Sequence, residues 1–266
     1  MQLYTCPICG LPLNRTVHQL QCDTGHAFDL AREGYVNLLP SHHRRSAKAG
    51  DDSSMVNARR QFLDAGHYAP LVEQLTALIP ERTQNLLDIG CGEGYFTAGV
   101  ARSAISVYGV DISKPAIRLA ARRYPEISFA VANGFQLPVA DESFDVSLVV
   151  LAPATPEVFR VTCPQGLFLR VSPGPQHLEE IKSLVYRSVK PHERASVVLT
   201  GFRQVQQHEV SFVMALDQAA RSALLAMTPM AHRSSTEKRL GAISGDLAEI
   251  TASFWIDVFE RLPALS

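Results

Sequence analysis

The sequence predicts an α/β protein, a doubly wound parallel sheet preceded by a small cysteine-bearing module. Three observations predict it. From residue 85 onward, short apolar runs alternate with segments of helical periodicity, as βαβ crossovers require. A glycine-rich turn, Asp88-Ile89-Gly90-Cys91-Gly92-Glu93-Gly94, joins the first of those runs to its helix. Three of the five cysteines fall within the first 22 residues, at the spacing of metal ligands.

In chain order, residues 1–40 are short, turn-rich segments and form the module. Residues 41–53 are polar with almost nothing to bury and read as a linker. Ser53 or Ser54 is expected to cap a helix running to about Ala65, with Met55, Ala58, Phe62 and Ala65 on one face and Gly66 as its stop. A second helix is expected from Pro70 to Leu78, ahead of Pro80. Strands are predicted at 85–90, 106–111, 127–132, 144–151 and 167–172, with helices at 95–102, 115–123, 156–161 and 176–189. The 144–151 run is nearly all apolar, as a central parallel strand should be. The last helix carries Leu178, Ile181, Leu184 and Val185 as its stripe. A strand (205–214), a helix (217–227) and an alternating strand (250–258) close the chain and are expected to pair antiparallel at the sheet edge. The domain division is therefore 1–40, a linker with its connecting helix at 41–69, and a sheet domain at 70–266.

Composition narrows the function classes. With 46% apolar residues over 266 positions, there is ample surface to bury against chain entropy, which excludes dominant disorder. A net charge of −1 excludes a uniformly basic nucleic-acid binder. No apolar run approaches the roughly 18 residues of a membrane span, so no membrane partner is expected. The segment Met1 to Cys6 has neither the basic nor the apolar region of a secretory signal, and a cytoplasmic location follows as the expectation. An odd cysteine count in that setting argues against a disulfide framework.

The cysteines read instead as a zinc site. Cys6 and Cys9, two residues apart, can converge on one ion from a knuckle turn; Cys22 and His26 close the tetrahedron. Gly10 and Gly25 stand where the two knuckles need them. With four donors the site is closed and structural, and metal binding supplies folding energy that so short a module lacks. His18 is the weaker candidate ligand.

The glycine turn reads as a nucleotide-cofactor loop. Gly90, Gly92 and Gly94 let the backbone approach a ligand closely. A dinucleotide fingerprint wants Gly or Ala where Tyr95 stands, whereas Asp88 ahead of the loop and Asp111 ending the next strand suit S-adenosylmethionine: Asp111 for the ribose hydroxyls, Asp88 for the methionine part, directly or through the loop. Asn133-Gly134 after the third strand is placed to meet the adenine, or is simply a turn. Cys91 reads as a small packing residue. The fold then becomes a Rossmann-like class I methyltransferase sheet. His67 and His177 are candidates for contact near the methylated atom; His42, His43, Arg44, Arg45, Lys48, Arg59 and Arg60 make a locally basic stretch, which would meet RNA phosphates if the substrate is the one that the resemblance described next implies.

The combined motifs resemble one family. Cys-Pro-x-Cys near the start, Glu33-Gly34-Tyr35-Val36-Asn37-Leu38-Leu39, Ala65-Gly66-His67-Tyr68, the 88–95 loop and Pro173-Gly174-Pro175-Gln176-His177-Leu178 resemble the bacterial RlmA family of 23S rRNA guanine-N1 methyltransferases over nearly the whole chain. The resemblance implies an N-terminal zinc domain holding zinc through Cys6, Cys9, Cys22 and His26. It also implies donor contacts at Tyr68, Gly92, Glu93 and His177, methylation of guanine N1 in hairpin 35 of 23S rRNA, and a homodimer that forms a cleft for RNA. Leu151-Ala152-Pro153 stands where amino-methyltransferases carry an Asn/Asp-Pro-Pro-Tyr loop, and its difference fits a ring-nitrogen target. Two alternatives remain at this point: a small-molecule methyltransferase with a zinc module, and a catalytically silent RNA-binding protein.

Overall fold

Eight strands hydrogen-bond into one mixed sheet in a computed structural model that describes residues 3–40, 52–186, 188–189, 199–228, 230, 235–245 and 249–263. Strands β1 (Asn14–Arg15), β2 (Gln19–Gln21) and β3 (Ala27–Asp29) form a separate antiparallel ribbon, and β4 (Val36–Asn37) leaves it for the large sheet. Helices α1 (Ser53–Asp64) and α2 (Ala69–Leu78) follow. The parallel core alternates β5 (Thr83–Ile89), α3 (Tyr95–Val100), β6 (Ala104–Asp111), α4 (Lys114–Arg123), β7 (Ser128–Val131), β8 (Phe144–Val150), α5 (Glu157–Val161), β9 (Thr162–Pro173) and α6 (Glu179–Val185). The chain ends with β10 (Phe202–Ala215), α7 (Gln218–Ala226), α8 (Thr236–Ser244) and β11 (Glu249–Arg261).

The strand order is β10-β11-β9-β8-β5-β6-β7-β4. The order reverses between β5 and β8, and that switch point opens a crevice at the carboxyl ends of the strands. β11 inserts antiparallel between β9 and β10, as the alternating tail predicts. At the other end β4 pairs parallel with β7, through Val36 opposite Ala130 and Asn37 opposite Val131.

Alternate residues along β5 serve opposite faces: Leu86 packs in one core cluster, Leu87 and Ile89 in the other. The first face is covered by α1 to α4 and the C-terminal helices. The second is covered at the β7 end by the N-terminal module that carries the ribbon, whose Tyr4, Leu13, Leu20 and Leu38 join Leu87, Tyr108, Val110 and Phe144 in one cluster. The Tyr4 hydroxyl also donates to the Ser128 carbonyl at 2.9 Å. Among the described residues no helix is long and apolar enough to cross a membrane.

Several boundaries differ from the sequence reading, each for a local reason. Asp52 caps α1, its Oδ1 accepting from the Ser54 and Met55 amides at 2.9 Å each, so neither Ser53 nor Ser54 is the cap. The buried face of α1 is Val56, Ala58, Phe62 and Leu63, and Ala65 is exposed. β5 begins at Thr83 because the Asp145 carboxylate takes the Gln84 and Asn85 amides at 2.8 and 2.9 Å. β9 begins at Thr162 and bulges, with Gln165 at φ 65°, before rejoining β8 at Leu167. α3 stops at Val100 and tightens into a 3-10 turn over 101–103. α6 is much shorter than predicted. Leu178 sits at φ 57°, its amide bonded to Thr251, and Tyr186 is extended; Leu184 faces solvent at 45% exposure rather than joining the stripe. α8, with Gly241 inside it and no strong apolar stripe, has no counterpart in the sequence reading.

Candidate cofactor pocket and metal centre

Cys6, Cys9, Cys22 and His26 converge at one end of the ribbon, their ligand atoms all within 4.8 Å of one another. Two tight turns bring them there: the Gly10 amide bonds back to Cys6 and the Gly25 amide to Cys22, with φ of 76° and 87° that favour glycine. Cys9 Sγ and Cys22 Sγ lie 3.7 Å apart, and His26 Nδ1 lies 3.5 Å from the sulfurs of Cys6 and Cys22. A tetrahedron with zinc–sulfur bonds of about 2.3 Å and zinc–nitrogen of about 2.0 Å has edges of roughly 3.5–3.8 Å. The donor set therefore fits Zn²⁺ in both chemistry and size. The Thr24 hydroxyl stands 3.3 Å from Cys9 Sγ and holds that thiol below its usual range. His18 is exposed and outside the cluster.

The crevice at the switch point is a cavity of about 1,090 Å³. That is at or above the upper end of ordinary ligand pockets and leaves room for two ligands side by side. Gly90, Gly92 and Glu93 of the β5–α3 turn, Asp111 at the end of β6, Asn133 after β7, His177 ahead of α6 and Tyr68 at the start of α2 all line it. Gly90 has φ 79°, and a Cβ there would lie 2.8 Å from that of Ala152; Gly94 has φ 83° and would meet Ala120 and Phe129 at 3.1 Å. The turn thus passes where side chains cannot.

The Asp111 carboxylate is held from both sides, Oδ2 by the Gly92 amide at 2.9 Å and Oδ1 by the Ser113 amide at 2.7 Å. Asn133 lines the cavity and also closes its own turn, Oδ1 accepting from the Phe135 amide at 3.0 Å. His177 is buried, its ring 4.6 Å from that of Phe254 and 6.4 Å from that of Tyr68. Burial drives the Tyr68 hydroxyl well above its usual range.

Asp88 is placed differently. It is buried beneath the turn, off the cavity wall, and Oδ2 accepts from the Thr97 hydroxyl at 2.6 Å. Burial raises its carboxyl to about 7 against the opposing pull of Thr97. Glu93 is raised to about 7 as well, by burial first and against the nearby Arg59.

His67 does not reach the cavity; it packs on Phe62 at 4.7 Å. Arg59, read as a phosphate contact, lines the cavity instead. Its spacing of four from Met55, which also lines the cavity, was the available signal: both lie on one helical face. Leu151, Ala152 and Pro153, the segment that stands in place of the amino-methyltransferase loop, line the cavity too, as do Lys182 and Phe135, which left no sequence signal. Cys91 is buried in the turn as expected. The linker cations His42, His43, Arg44, Arg45 and Lys48 lie outside the described residues.

A sheet of this order with a glycine-cornered cavity at its switch point and an acidic residue ending the second core strand defines a class I S-adenosylmethionine-dependent methyltransferase. Comparison with known proteins narrows the class. The model for the RlmA N-terminal zinc ribbon matches residues 4–47, and a methyltransferase domain model matches residues 87–169. The 23S rRNA (guanine(748)-N(1))-methyltransferase of Streptomyces fradiae is 37% identical over 275 aligned positions, covering 97% of this chain and 96% of its own. A Micromonospora griseorubida protein provisionally named 23S rRNA (guanine-N(1)-)-methyltransferase is 37% identical over 201 positions, covering 66% of this chain and 67% of its own. A methyltransferase solved in complex with its activator from Haloferax volcanii superposes with a TM-score of 0.50 at 18% identity, over 80% of this chain and 99% of that one, and shares the fold. The chain belongs to the RlmA family of 23S rRNA guanine-N1 methyltransferases.

Proposed function

We propose that the protein methylates N1 of a guanine in hairpin 35 of 23S rRNA, in the cytoplasm and as a homodimer, with S-adenosylmethionine as donor and zinc as a structural ion. The convergence of the glycine turn, Asp111, Asn133 and His177 on one cavity carries the reading, together with the near full-length likeness to the Streptomyces fradiae enzyme. When bound, the donor supplies an electrophilic methyl group on a sulfonium. The chain's own residues then bind, orient and exclude water. Asp111, held rigid by two amides, offers its outer lone pairs to ribose hydroxyls. Asn133 and the Gly134 backbone meet the adenine, while Tyr68, Gly92, Glu93 and His177 surround the rest, and Asp88 stiffens the turn from below. Residues 1–40 form the zinc module, 41–69 the linker and connecting helix, and 70–266 the catalytic domain.

N1 of guanine carries a proton at neutral pH, and no side chain is assigned as its acceptor. Mapping reverse-transcription stops on 23S rRNA tests the proposal, because N1 methylation blocks base pairing. Transcripts incubated with the zinc-loaded protein and donor are expected to stop one nucleotide before a hairpin 35 guanine. Full read-through there, with label from the donor recovered only in small molecules, favours the small-molecule reading; no transfer at all favours the silent one.

A further inference from the structure

Strand order gives the cavity two sides. Gly90, Asp111 and Asn133 follow β5, β6 and β7 on one side of the switch point; Leu151 and Pro153 follow β8, and Lys182 follows β9, on the other. The loop after β8 abuts the glycine turn, since a Cβ on Gly90 would lie 2.8 Å from that of Ala152. The positions that suit the donor gather on the first side, which leaves the second for the base that receives the methyl group. Among the described residues that line the cavity, the acids are Glu93 and Asp111, and both belong to the first side. The second side holds a cation, Lys182. Its place is fixed. The Glu180 carboxylate accepts from the Thr251 amide at 3.0 Å and the Leu178 amide donates to the Thr251 carbonyl at 2.8 Å, which bolts the start of α6 to β11. Lys182 Nζ donates to the His177 carbonyl. The side chain is half-buried, and burial pulls its pKa below the usual range against Glu179. A cation partly stripped of water acts strongly on charge that develops beside it.

Guanine N1 lies next to the C6 carbonyl. As the N1–CH3 bond forms and the donor's S–CH3 bond breaks, the N1 proton leaves to water. The negative charge that its departure puts on the ring is shared between N1 and O6. We infer that Lys182 is a catalytic residue that donates a hydrogen bond from Nζ to O6 of the target guanine and stabilises that charge without taking the proton. The inference rests on the substrate reading above. It gives the reaction electrostatic help at the atom beside N1, where no side chain is assigned as the proton acceptor. It also selects the base, because adenine presents an amino donor at C6 and would set a donor against the ammonium.

Single-turnover methyl transfer by the zinc-loaded full chain to a hairpin 35 transcript, at saturating donor, tests the role. Lys182→Met should slow transfer by about 100-fold or more, the worth of one donor aimed at developing charge. Donor affinity by calorimetry should stay within about three-fold, since the contact is made to the base. A second transcript carries sulfur in place of O6 at the target guanine. Sulfur accepts hydrogen bonds poorly yet leaves N1 more acidic, so the wild type should be slower on it by about ten-fold, and Lys182→Met should lose that difference. A wild type equally fast or faster on the sulfur transcript overturns the inference whether or not the variant folds. So does a variant that transfers within about five-fold of the wild type, or one whose loss is matched by lost donor affinity. A wild type that leaves the oxygen transcript unmethylated overturns the substrate reading, and the role of Lys182 with it.

Discussion

Asp88 and Glu93 are buried carboxyls whose environment keeps them from ionising freely. Both stand near 7 in the fold, against ordinary values of 3.8 and 4.5, and burial is the main cause for each. A carboxyl raised in the folded state binds its proton more tightly there than in the unfolded chain. Its stabilising contribution is therefore complete below the ordinary value and is lost as pH rises through 7. The ligand-free protein should melt several degrees lower at about pH 8 than at about pH 5.5, and Asp88→Asn should flatten the decline; differential scanning calorimetry across that range measures both. Asp111, by contrast, accepts hydrogen bonds from two backbone amides and is presented to the cavity. Asp111→Ala should weaken donor binding by about 1–3 kcal/mol by titration calorimetry, the worth of hydrogen bonds to a charged group. At this scale the sequence was legible where chemistry imposes a pattern. Cys6, Cys9, Cys22 and His26 announce themselves by spacing, and the structure brings all four together. Arg59 was legible only through its helical spacing from Met55, and His67, in the turn between α1 and α2, carried no mark of which way it faces; Arg59 turns into the cavity and His67 onto Phe62.

Among the elements, the parallel strands were the easiest to read, since residues buried on both faces leave mostly apolar runs such as 144–150. Boundaries failed where tertiary contacts override the local pattern. The Asp145 carboxylate recruits two more residues into β5, and a left-handed Leu178 delays α6. β4 was invisible for the same reason: its two residues become a strand only because β7 is there to pair with them. The ribbon itself has strands of two or three residues, too few to stand without a staple. Cys22→Ser removes a ligand that lies within 3.7 Å of two others. It should abolish stoichiometric zinc by elemental analysis and loosen β1 to β3, visible as lost amide protection there. Retained zinc and protection would overturn the metal assignment.

On the scale of the whole molecule, the ribbon is less an appendage than the cover of one sheet face, sharing a core cluster with β5, β6 and β8. Two parts that share a core unfold together. Trp255, the one tryptophan of the chain, sits on β11, five strands from the ribbon's docking strand, and reports the far end of the sheet. Chelating the zinc should lower the thermal midpoint that Trp255 fluorescence records. An unchanged midpoint would mean that the ribbon melts alone.

The pairing of Val36 and Asn37 with Ala130 and Val131 has a bearing on how the chain is made. During synthesis the four ligands leave the ribosome roughly a hundred residues before the strand that the ribbon will dock against. An early-captured ion would give the nascent ribbon its shape while its neighbour is still untranslated. β7 would then emerge to find a ready-made border for its open edge rather than one exposed to passing chains.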